Sequence, residues 1–129
     1  MREVGVFPSR MKLTRTGFLI STAPTLLALG MFFSLGVHMY LSLGGWPLGI
    51  GEVGFSRLLR VHSTVATMYF WLLWVGCLFG WPVALVAGLA VKPWRPLLVY
   101  STVLVGVFAL GVVLMRWLAP AQYLYWWWD

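Results

Sequence analysis

Residues 58–90 read LLRVHSTVATMYFWLLWVGCLFGWPVALVAGLA, and from Val61 to Val91 there is no Asp, Glu, Lys or Arg. About 20 predominantly apolar residues in helical form cross the hydrocarbon core of a bilayer, so this run is long enough with several residues to spare. Working outward, residues 17–43 and 96–118 are two further runs of the same character. The three use most of the 129 residues and leave no stretch for a separate soluble domain. Hydrophobic residues make up 61% of the chain and charged residues 9%, where soluble domains carry about one quarter charged. The mean hydropathy is +0.89. These features predict an all-α integral membrane protein with three transmembrane helices, forming a single membrane domain over residues 1–129.

Proline and glycine set the expected boundaries. Pro24 lies near the start of the first run, where a kink or a re-set first turn is tolerated. Gly44-Gly45-Trp46-Pro47 ends that run. Gly80-Trp81-Pro82 interrupts the second, which predicts a kink near Pro82 followed by an extra turn or two. Lys92-Pro93-Trp94-Arg95-Pro96 is a short connector, and the third helix ends before Ala119-Pro120. Tyr123, Tyr125, Trp126, Trp127 and Trp128 then form an aromatic cluster of the kind found at the headgroup level. Basic residues before the first run resemble a signal-peptide n-region, but the run is too long for an h-region and is expected to remain as a membrane helix.

The net charge of +6 does not indicate a nucleic-acid partner, because the nine Lys and Arg residues sit at the ends of the apolar runs rather than in a patch. Arg2, Arg10, Lys12, Arg15, Lys92 and Arg95 fall on one side of the predicted spans, and Arg57, Arg60 and Arg116 on the other. The positive-inside rule then places the N-terminus and the Lys92 loop in the cytoplasm and the C-terminus outside. In a bacterium this describes a multi-pass protein of the inner membrane with its Trp-rich tail on the periplasmic side. Cys77 is the single cysteine and reads as a small apolar filler. Glu52, in the glycine-rich loop, reads as solvated. With Glu3, Asp129 and the two histidines it makes no catalytic set, so the chain is not expected to be an enzyme on its own.

The two histidines are the candidate site. His38 lies about five residues before the first run ends and His62 about four after the second begins, which places both at matching depth inside the outward face. An ionisable residue within a span is costly and usually faces protein or a cofactor. Gly30, Ser34, His38 and Ser42 follow at four-residue spacing on one helix, and His62, Ala66, Tyr69, Leu73, Gly76 and Gly80 form a comparable stripe on the next. Two such faces could enclose a flat cofactor, with neutral imidazole as axial ligand and Arg57 and Arg60 near the propionates. Ordinary helix packing and interhelical hydrogen bonding would produce the same pattern. Tightly packed helices lie about 8–10 Å apart, so ligation of one iron by both histidines requires the hairpin to splay.

The stretch Phe55, Ser56, Arg57, Leu58, Leu59, Arg60, Val61, His62, followed by an aromatic-rich helix to Gly80, resembles the second helix of the large subunit of haem–copper oxidases, particularly the nitric oxide reductase branch. The resemblance implies that His62 binds haem b near the periplasmic face, as one half-site in an electron-transfer complex. Arg60 lies two residues before His62 and Arg57 five before, where the family's arginine lies three before, and His38 has no counterpart. Ser34-x-x-x-His38 with Trp46 downstream is similar to the small-x-x-x-His motif of antenna helices and implies (bacterio)chlorophyll instead. Three readings therefore stay open: a haem b subunit of an energy-converting complex, a pigment-binding photosynthetic subunit, and a subunit that only packs. In each, the partners are larger hydrophobic subunits and lipid, with a quinone possible nearby.

Overall fold

The structure, a computed structural model, describes residues 12–47, 49, 51 and 53–129. Arg2, Glu3, Arg10 and Glu52 lie outside the described residues. Three long helices, α1 (Arg15–Leu43), α2 (Arg57–Ala90) and α3 (Arg95–Leu118), are followed by a short one, α4 (Ala121–Trp128). The first three are long and apolar enough to cross a membrane. Among the described residues there is no strand.

Local chemistry accounts for the boundaries. The Thr14 side chain accepts from the Gly17 amide at 3.0 Å and caps α1, while Gly44 ends it at φ 69°, a left-handed conformation that glycine adopts without a Cβ clash. Ser56 caps α2 by accepting from the Leu59 amide at 3.2 Å. Pro96 falls in the first turn of α3, where its missing N–H costs no helical bond. The helix α2 runs unbroken through Pro82 to Ala90.

Interhelical hydrogen bonds fix the topology. The Thr14 amide donates to the Tyr100 hydroxyl at 2.7 Å, so α1 and α3 start at the same end, which also carries the α2–α3 turn. Tyr69 donates to the Pro24 carbonyl at 3.1 Å, tying the middle of α2 to the first half of α1. The close approaches at this hairpin end use glycine. A Cβ on Gly88 would lie 2.7 Å from Leu98 Cβ, and one on Gly17 would strike the Tyr100 ring.

At the opposite end, which carries the α1–α2 loop, the packing is aromatic. Beyond Pro120 the sequence reading expects side chains at the headgroup level and no further helix. The chain instead turns back and forms α4, whose residues enter the bundle. Tyr123 is 1% exposed and donates its hydroxyl to the Phe32 carbonyl at 2.7 Å. A Cβ on Gly36 would meet the Tyr123 ring at 3.0 Å, so this glycine gives the ring its seat. Trp127 lies edge-on to Phe32 and Phe70, with ring centres 5.0 and 5.6 Å apart, and Trp126 donates to the Gly51 carbonyl at 2.9 Å. Phe32, Phe70, Phe108 and Tyr123 thus join α1, α2, α3 and α4 in one core.

Candidate functional site

His38 and His62 meet across the α1–α2 contact near the loop end. Their Nδ1 atoms are 3.0 Å apart and their ring centres 5.3 Å apart. His62 Nε2 lies 3.3 Å from Ser34 Oγ, one helical turn before His38, and Ser34 Oγ lies 3.1 Å from the Met31 carbonyl. Helical spacing explains the grouping: Ser34 and His38 are four residues apart on α1, and His62 faces them from the second turn of α2. Both histidines are half-buried and Ser34 is exposed.

The order of these contacts favours one set of tautomers. A serine hydroxyl has one proton, and if Ser34 gives it to the Met31 carbonyl, its oxygen must accept from His62 Nε2–H. His62 Nδ1 is then an acceptor, and His38 Nδ1–H is its donor. All three hydrogen bonds form in this direction. In the reverse direction Ser34 donates to His62 and gives up Met31, so one bond of the three is lost. The first arrangement leaves His38 Nε2 as an unprotonated lone pair, and among the described residues it has no hydrogen-bond partner. His38 is thus oriented by His62, which is in turn oriented by Ser34.

The paired nitrogens are too close together to be trans ligands of one iron. Metal–imidazole bonds of about 2.0 Å put two trans nitrogens about 4 Å apart, and the Nδ1 atoms are at 3.0 Å. The helices are not splayed at this level. Among the described residues, no group of three or more His, Cys, Asp or Glu side chains is placed to hold a metal ion.

The arginines fall elsewhere. At 3.6 residues per turn, Arg57 and Arg60 are about 140° and 160° around α2 from His62, and both are exposed. The structure therefore brings together His38, His62 and Ser34, but does not bring Arg57 or Arg60 to the same face. The remaining sites of the two stripes diverge as well. Ala66 is buried in the core, whereas Cβ atoms on Gly30, Gly76 and Gly80 would meet nothing within 4 Å. Cys77 is free and half-buried.

The wedge of Tyr123, Trp126 and Trp127 is the feature that sequence reasoning misses. Gly36 is a signal for it, a glycine off the histidine stripe that leaves room for a neighbouring ring, which Tyr123 fills. No protein family, curated protein or solved structure matches this chain.

Proposed function

We propose that the chain is a three-span membrane subunit that offers His38 Nε2 as an axial ligand to a tetrapyrrole, haem b or (bacterio)chlorophyll, within a larger energy-converting complex. The observation that carries this reading is the histidine pair itself. With the proton on His38 Nδ1, that ring is anchored by His62 and its Nε2 meets no partner among the described residues, so the pair matches a metal-binding histidine oriented through its other ring nitrogen. A bare metal ion would need further protein ligands, whereas a tetrapyrrole brings its own four nitrogens and requires one or two more.

The neighbouring surface supports the same reading. Gly30 and Ser34 are exposed beside His38, and the open space at Gly30 leaves that side of α1 flat enough for a macrocycle. Large apolar side chains such as Leu41, Leu72 and Trp117 are also exposed, at 74%, 70% and 84%. Lipid or larger hydrophobic subunits would cover them. The charge bias orients the N-terminus towards the cytoplasm and the histidines towards the outer, periplasmic side. His38, rather than His62, is the ligand in this proposal, and the chain contributes no catalytic set of its own.

The test is an absorption spectrum of the complex purified in mild detergent, with extracted pigment identified. His38→Ala should remove the tetrapyrrole. His62→Ala should weaken its retention about 10- to 100-fold, the usual effect of losing an orienting partner, and His62→Asn, whose amide oxygen can accept from His38 Nδ1–H, should restore much of it. A complex without tetrapyrrole, or pigment unchanged in His38→Ala, would leave the pair as an interhelical clamp.

A further inference from the structure

A groove runs between α2 and α3 on the half of the molecule that carries the hairpin turn. Gly76, Gly80, Ala84 and Ala87 form its α2 side, and Trp94, Leu97 and Leu104 are on its α3 side. The stretch from Gly76 to Ala87 spans about 16 Å of helix, close to the depth of one leaflet of a hydrocarbon core about 30 Å thick. The groove holds about 440 Å³. Its width depends on Gly76 and Gly80, beside which a Cβ would meet nothing within 4 Å. Trp81 also lines it and is tied to α3 through the Thr102 hydroxyl at 3.0 Å.

Charge specifies what enters. The groove reaches the turn that holds Lys92 and Arg95, and Lys12 and Arg15 are at the same end of the bundle because Thr14 is bonded to Tyr100. Among the described residues no acidic side chain lies at this end. Asp129 is at the opposite end, in a pocket with Arg116. A one-leaflet apolar slot with cations and a Trp at its mouth matches a lipid with a negative headgroup.

We propose that this groove binds one acyl chain of an anionic phospholipid, with its phosphate held by Lys92 and Arg95. The inference rests on the chain being embedded in a membrane and is independent of any ligand at His38. The experiment is native mass spectrometry of the full chain in detergent, titrated with phosphatidylglycerol or with phosphatidylcholine of the same acyl chains. Retention of phosphatidylglycerol should exceed that of phosphatidylcholine about tenfold or more. The double variant Lys92→Gln/Arg95→Gln should bring the ratio near one. Gly80→Leu fills the slot without an obstructed Cβ and should lower retention of both lipids, and Gly76→Leu repeats that arm. Equal retention of the two lipids by the unaltered chain would overturn the proposal. So would unchanged phosphatidylglycerol retention in both glycine variants, or a dimer mass that Gly80→Leu abolishes, which would assign the groove to a second copy.

Discussion

The docking of α4 against the bundle rests on Tyr123, and two substitutions there separate its hydrogen bond from its packing. Tyr123→Phe removes the 2.7 Å bond to the Phe32 carbonyl but leaves that carbonyl its own helical partner, so no buried group is orphaned. The loss is about 0.6–1.5 kcal/mol, which raises the undocked population of α4 about 3- to 13-fold. Tyr123→Ala also empties the space against Gly36, Phe32 and Trp46. Loss of such a ring costs about 3–5 kcal/mol, or at least about 150-fold in the same population. Amide hydrogen exchange of residues 121–128 in detergent reads that population directly. Burial also pushes the Tyr123 hydroxyl well above its ordinary value near 10. Because the docked value is the higher one, docking is complete below about pH 10 and weakens as pH rises past it. Tyr123→Phe should lack that alkaline loss. Exchange in α4 that is no faster in Tyr123→Ala than in the unaltered chain would refute the reasoning.

Three further outcomes follow from the packing and the charge bias. Gly88→Leu places a Cβ 2.7 Å from Leu98 Cβ and should lower thermal stability by about 1–3 kcal/mol, while Gly30→Ala, whose Cβ meets no described residue within 4 Å, should leave the melting temperature unchanged or raise it slightly. Thr25 is 1% exposed and its hydroxyl has no partner among the described residues, so Thr25→Val should be neutral or stabilising by up to about 1 kcal/mol; a clear drop in melting temperature would count against that account. A cysteine at Lys92 should resist membrane-impermeant reagents applied from outside, and one at Ala119 should react with them, the reverse pattern inverting the proposed orientation.

The three long helices were legible because the signals that set them are local. Hydropathy placed their ends at residues 43, 90 and 118, as observed, and their starts within two residues of Arg15, Arg57 and Arg95. The missing positions at the start are those of caps and first turns, where polar residues such as Arg15 interrupt the apolar signal. What faces what was less legible. In a membrane chain, lipid-facing and protein-facing positions are both apolar, so the usual contrast between core and surface is weak. Gly76 and Gly80 therefore read as a packing pair and line an open groove, while Gly36, Gly88 and Gly111 make the close approaches. α4 was hidden for the same reason. Its sequence AQYLYWWW carries no polar stripe to distinguish a helix inserted among other helices from aromatic residues resting at the lipid surface.

The histidine pair shows how far depth alone carries the reading. Counting residues from the helix ends predicts that His38 and His62 lie at one level, and their 3.0 Å contact agrees. Depth says nothing about which ring nitrogens meet, and the Ser34 contact supplies that. An interhelical clamp needs one donor and one acceptor, which an amide or hydroxyl on each helix would provide without placing two titratable rings in an apolar bundle. A second imidazole adds one thing to such a clamp, a basic nitrogen that points beyond the pair. That nitrogen belongs to His38 when the chain runs through His62 and Ser34 to Met31. The distinction is read in bound pigment: an acceptor at position 62 rebuilds the contact to His38 in a clamp and in an orienting pair alike, whereas only a ligand at His38 makes pigment disappear in His38→Ala and return in His62→Asn.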